Sequence, residues 1–354
     1  MSGRGFASRL RTRLTALGER YFAPMHWREG LLALPALPLI FLGGVALGHP
    51  VGGAMAAGSA FSVGFGSAHD LFGRRWAAML AALVGMMAAS FAGTLLGGIA
   101  PVYVPLTALL AVIVAWLALR DTQQWWVALQ VAIVFLIAGH FHGPLHNALF
   151  RTEMVLVGGG IQAAMVMALA WLFPRAAHAY AGGPGEHDAD PRLIRAHMLR
   201  AALCVVASLL AGDALGLVNG YWAPMTALLV LKPRLHETRT RGLERLGGTF
   251  VGAGLASVLS IACRNDTWVL VTGMAIASWC AFSLQKAHYA GLSTAITASA
   301  VLLVSLGGLA TPEINAVHRL IATMLGGGIA LGVAALFPHS PLRPWRQADD
   351  TPMG

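Results

Sequence analysis

Residues 221–254 read YWAPMTALLVLKPRLHETRTRGLERLGGTFVGAG. The stretch opens as an apolar run and breaks at Lys232-Pro233. Proline lacks an amide hydrogen and fixes its own φ, so a helix ends there. A basic cluster of Lys232, Arg234, Arg239, Arg241 and Arg245 then leads into a second apolar run. Thr238, Arg241, Arg245, Thr249 and Gly252 are three or four residues apart, so a helix places them on one face. Gly248 and Gly252 form a GxxxG pair, which lets a neighbouring helix approach closely. Two apolar runs joined by a short basic turn describe membrane helices meeting at a basic membrane face.

The rest of the chain repeats this alternation. Of its 354 residues 57% are hydrophobic and only 11% charged, and the mean hydropathy is +0.67. A soluble domain carries about 25% charged residues, so a water-soluble globular enzyme is excluded. Disorder, collagen and a disulfide scaffold are excluded with it. The 42 glycines suit tight helix packing. The net charge of +9 comes from basic residues lying between apolar runs, which points to membrane topology rather than nucleic acid. Cys204, Cys263 and Cys280 have no ligand spacing. His140, His142 and His146 have the residue type for zinc but no carboxylate or cysteine close by. No phosphate-binding loop, nucleophile elbow or HExxH is present, so neither an enzyme, a metal nor a cofactor is expected.

A spanning helix needs roughly 20 mostly apolar residues. Candidate spans fall at 30–48, 51–68, 76–98, 100–119, 125–142, 154–173, 198–217, 219–232, 245–263, 267–284, 289–308 and 319–337. The second and eighth are the weakest, and dropping them leaves ten. With twelve spans and the N-terminus inside, only Arg151, Arg264 and Arg319 of the 24 basic residues fall on outer loops. That satisfies the positive-inside rule. The expected organisation is a basic amphipathic segment at 1–29, a six-span half at 30–173, a cytoplasmic linker at 174–197, a second six-span half at 198–337 and a tail at 338–354. Both termini are then cytoplasmic.

A pattern Arg-x-x-x-h-x-x-small, with h apolar or Thr, opens four spans. It reads Arg75…Met79…Ala82, Arg151…Val155…Gly158, Arg245…Thr249…Gly252 and Arg319…Thr323…Gly326. Tyr221-x4-Thr226 and Tyr289-x4-Thr294 echo each other in the same way. The first and third arginines are 170 residues apart, and the second and fourth 168. An offset of six spans preserves orientation, so the expected fold is an all-α polytopic protein of about twelve helices in a parallel 6+6 repeat. The shorter offset within each half also allows an inverted 3+3 pair. Both layouts are typical of transporters.

The repeated arginines lend themselves to chemistry. Arg75 and Arg245 are expected at inner helix ends, Arg151 and Arg319 at outer ones. A guanidinium at a helix mouth attracts carboxylates, so the four could mark the two mouths of an anion path. The plainer alternative is snorkelling to headgroups. Thr226, Thr249, Thr294 and Thr323 would supply lining hydroxyls. Asp213, an acid inside a span, is the candidate for proton coupling. Tyr221 and Trp222 could stack an aromatic substrate or sit in the interfacial belt.

Tyr221-Trp222-Ala223 with Thr226, Val230 and Pro233, then Thr238, Arg241, Arg245 and Gly248-Thr249 with Gly252, resembles the signature of the integral membrane bound transporter domain of the fusaric acid resistance (FUSC) family. Arg319 and Gly326 fit its last span, and Asp70, Gly73 and Arg75 fit a degenerate copy in the first half. The resemblance implies a bacterial inner-membrane exporter of aromatic carboxylic acids, working with a periplasmic adaptor (membrane fusion) protein. Large members of the family carry a sizeable cytoplasmic domain, for which this sequence has only the linker and tail. The functional expectation is export of organic anions driven by the proton gradient. The rivals are an uncoupled anion channel and a membrane scaffold that moves nothing.

Overall fold

The computed structural model describes residues 24–174, 190–308 and 312–337, apart from the side chains of Arg75, Pro312 and Glu313. The expected basic segment (up to residue 23), most of the linker (175–189) and the tail (338–354) lie outside the described residues. What is described is helical: α1 Trp27–Ala33, α2 Ala36–Ala46, α3 Pro50–Gly64, α4 Arg75–Leu96, α5 Ala100–Leu117, α6 Thr122–His140 and α7 Leu145–Leu172, then α8 Pro191–Ala214, α9 Trp222–Val230, α10 Leu235–Ala262, α11 Thr267–Ser283, α12 Tyr289–Leu306 and α13 Pro312–Leu336. Asp121, Asp190 and Asp266 open α6, α8 and α11 by accepting hydrogen bonds from the first free amides.

Every expected apolar run falls on a helix, with α1 and α2 together forming the first. Among the described residues nine helices are long and apolar enough to cross a membrane, so twelve full crossings are not what the helix lengths give. α9 has 9 residues, about 14 Å at 1.5 Å per residue, against a hydrocarbon core of about 30 Å. The turn at 215–220 uses up the start of its apolar run, and Leu231 leaves the helix in an extended conformation. α3 has 15 residues and continues as one 3-10 turn at Phe65–Ala68.

The helices pair in the same way in both halves. α4 packs along α6 and α7, α3 along α7 and α2, and α5 along α6. In the second half α10 packs along α12 and α13, α9 along α13 and α8, and α11 along α12. The halves meet chiefly along two seams, α5 against α8 and α1 against α11, with α12 also touching α3. The repeated small residues sit where these pairs touch. A Cβ on Gly158 would meet the Ala56 carbonyl oxygen, on Gly326 that of Ala223, and on Gly252 that of Thr294. The GxxxG pair thus lies against α12, as its spacing suggests.

The corner between α9 and α10 is held at several points. The Thr238 hydroxyl accepts from the Lys232 amide at 3.0 Å and has the carbonyls of Lys232 and Arg234 each at 3.1 Å. Arg200 of α8 is buried and donates from Nη2 to the Pro233 carbonyl at 3.0 Å. A hydrogen bond to a charged donor contributes about 1.5–3 kcal/mol. Arg200→Ala is therefore expected to lower the melting temperature of the purified protein, with Arg200→Lys recovering part of the loss. Equal melting of Arg200→Ala and wild type would show that Arg200 does not hold the corner.

Candidate functional site

The second half encloses a layer of polar side chains with few partners. Four helices supply it. α10 presents Thr238, Arg245, Thr249 and Gly252 on its buried face, the face that the three- and four-residue spacing defines. α12 brings Tyr289, Ser293 and Thr297, α13 brings Arg319 and Thr323, and α9 brings Thr226 with Tyr221 and Trp222 at its start.

Arg245 and Arg319 are each only 2% exposed, the two largest side chains among the most buried of the molecule. The Arg319 guanidinium carbon lies 3.5 Å from the centre of the Trp222 ring. Arg245 donates from Nη1 to the Ser293 hydroxyl at 3.4 Å, a long bond. Neither arginine pairs with a carboxylate among the described residues. Several polar atoms of this layer are buried without any hydrogen-bond partner: Nε of Arg245, Nε and Nη2 of Arg319, the hydroxyls of Thr226, Thr249, Thr297 and Tyr289, and Nε of Arg241. A buried donor left unmade costs roughly 1–3 kcal/mol, and more when charged. Such a set calls for partners that water, an ion or a ligand would supply.

Two groups of side chains flank the layer. On one side Tyr221 packs on Trp222, with ring centres 5.1 Å apart, and on His140 and Phe141 at 5.3 and 5.9 Å. His140 reaches from the first half to the Val218 carbonyl at 2.9 Å. On the other side the Arg241 guanidinium covers the Tyr289 ring at 3.1 Å, and Glu244 lies 4.0 Å from Arg241 and 3.1 Å from His288.

The expected site residues divide accordingly. Arg319 meets Trp222, which packs on Tyr221, while Arg245, Thr226, Thr249 and Thr323 are buried on the same set of helices. Arg245 and Arg319 are near enough for their charges to act on each other, and they face the interior rather than standing at two separate mouths. Thr294 turns its hydroxyl back to the Ala290 carbonyl at 2.9 Å. Arg151 stands 5.1 Å over the Phe141 ring, which in turn packs on Tyr221. The Arg75 side chain is outside the described residues. Asp213 is exposed at the end of α8. Tyr289, Ser293, Thr297 and Arg241 are additions. The Tyr-x4-Thr echo already pointed at Tyr289, and the shared face of α10 at Arg241. Ser293 and Thr297 carried no signal beyond their place in an apolar run.

Apolar helices long enough to cross a bilayer, packed around a buried basic layer, describe a multi-pass membrane protein. Residues 204–333 match the family described as fusaric acid resistance protein-like. It is 29% identical over 147 residues to an uncharacterized protein, ORF2, of Neisseria gonorrhoeae, covering 40% of this chain and 34% of that protein. It is 31% identical over 121 residues to the uncharacterized protein slr1298 of Synechocystis, covering 33% and 16% of the two chains. It is 32% identical over 143 residues to the uncharacterized protein YhfK of Escherichia coli, covering 40% and 20%. The matches thus span about a third of the first relative and a fifth or less of the others. No solved structure matches.

Proposed function

We propose that the protein exports organic anions, aromatic carboxylic acids above all, across a bacterial inner membrane at the expense of the proton gradient. One observation carries the reading: Arg245 and Arg319 are both buried with uncommitted donors and, among the described residues, no acidic partner. A carboxylate held there would take hydrogen bonds from the two guanidiniums, and Thr226, Thr249 and Tyr289 carry further buried hydroxyls without partners. Tyr221, Trp222 and Tyr289 give flat surfaces for an aromatic ring. In this reading the halves are parallel repeats with both termini inside, and the second half carries the substrate. Asp213, exposed at the end of α8, is the candidate for proton coupling. A periplasmic adaptor would receive the exported acid.

The test is accumulation of labelled aromatic carboxylates in an exporter-deficient bacterium, with and without the protein. Lower accumulation, reversed by a protonophore, is the expected result. Lower accumulation that a protonophore leaves intact, with voltage-driven current in bilayers, makes the protein an uncoupled channel. Unchanged accumulation at normal membrane levels overturns the exporter reading and favours the scaffold.

A further inference from the structure

The two seams between the halves are not alike. The α1–α11 seam is filled. Gly30 lies directly against Ser283, the His26 amide donates to the Ser283 carbonyl at 2.9 Å, and Trp279 Nε1 donates to the Trp27 carbonyl at 3.1 Å. The α5–α8 seam instead holds a pocket, lined by Ala115 of α5, Ala118 just beyond its end, Trp125 of α6, His197 of α8 and Leu231 and Lys232 of the corner. A second cavity, lined by Ala111, Phe135, Val205 and Leu228 among others, lies further along the same seam. Leu228 lines both.

The chemistry of this track changes along its length. At the corner the Lys232 ammonium stands 5.7 Å from the Trp125 ring and pairs with no carboxylate among the described residues. Arg200, buried beside it, is committed to the Pro233 carbonyl. Away from the corner the lining is almost entirely apolar. A free inorganic anion has no use for that apolar extension, and a neutral lipid has none for Lys232. Basic pockets between membrane helices suit anionic headgroups.

We infer that this pocket binds an acidic phospholipid, with its phosphate on Lys232 and the start of one acyl chain against Ala115, Ala118 and Leu228. The inference is independent of any transported substrate.

The experiment uses the purified full chain and reads thermal stability together with lipid retained in native mass spectrometry. The probes are phosphatidylglycerol, phosphatidylcholine and inorganic phosphate. Phosphatidylglycerol is expected to raise the melting temperature by several degrees and to stay bound, while the other two do neither. Lys232→Gln is expected to cut retained phosphatidylglycerol at least threefold, and Lys232→Arg to keep it. Ala118→Leu, which narrows the mouth and keeps the charge, should also reduce retention, so the result does not hang on one variant. Equal retention of the two lipids, or wild-type retention in both Lys232→Gln and Ala118→Leu, overturns the inference. So does full stabilisation by inorganic phosphate alone, which would assign the site to a free anion.

Discussion

Arg319→Met is expected to abolish export of aromatic acids while raising the stability of the empty protein. The two effects have one cause. The guanidinium is buried and, among the described residues, lacks a carboxylate partner, and an arginine at membrane depth costs roughly 2.5–3.5 kcal/mol on insertion scales. Its contact with Trp222 at 3.5 Å returns about 0.5–2 kcal/mol. A methionine of similar reach removes both terms, so the expected net gain is on the order of 1 kcal/mol. Export, which needs the charge, falls to the level of cells without the protein. Arg245→Met should lose export in the same way. Its stability gain should be smaller, because Arg245 also bonds to Ser293. The measurement pairs accumulation in cells at matched membrane levels with melting of the purified variants. Export retained by Arg319→Met would remove this arginine from the substrate path. Export lost together with stability would make it a structural group.

The second large effect is on assembly. Gly326→Val should strip the protein of its folded, monodisperse form, because the new side chain starts where the Ala223 carbonyl oxygen already sits. Overpacking costs typically 1–3 kcal/mol when side chains can yield. Here the obstacle is backbone, so α9 and α13 must part along their contact. Gly327→Ala is the control, since nothing lies within 4 Å of a Cβ at that position. It should melt with the wild type. The comparison is read by size-exclusion profile and melting temperature in one detergent. Indistinguishable behaviour of Gly326→Val and wild type would mean that this close approach is not what holds α9 in place.

The positions of these two residues show what a linear reading can and cannot see. The helices were legible because apolar runs in water-free surroundings have few other ways to satisfy their backbone. The face bearing Thr238, Arg245 and Gly252 was legible because helical spacing is fixed. Depth was not. Hydropathy starts a span at its first charged residue, so Arg245 and Arg319 read as helix ends. In the structure α10 begins at Leu235 and α13 at Pro312. The helical backbone runs on through the polar turns, since its hydrogen bonds do not depend on side-chain polarity. Arg245 is therefore nearly three turns inside its helix and Arg319 about two. α9 erred in the other direction: its run is apolar enough for a span, but Gly216 adopts a φ of +59° in the turn before it, and only nine residues remain helical.

The corner at Lys232-Pro233 has a mechanical consequence. A chain reversal between two helices usually acts as a pivot, yet this one has its amide and carbonyls tied down by Thr238 and Arg200. α9 and α10 then behave as the two arms of a stiff bracket bolted to α8. A push felt by Trp222 at the tip of one arm is delivered to Arg245 on the other without being absorbed between them. Leverage of this kind lets a helix too short to cross the bilayer govern one that is long enough.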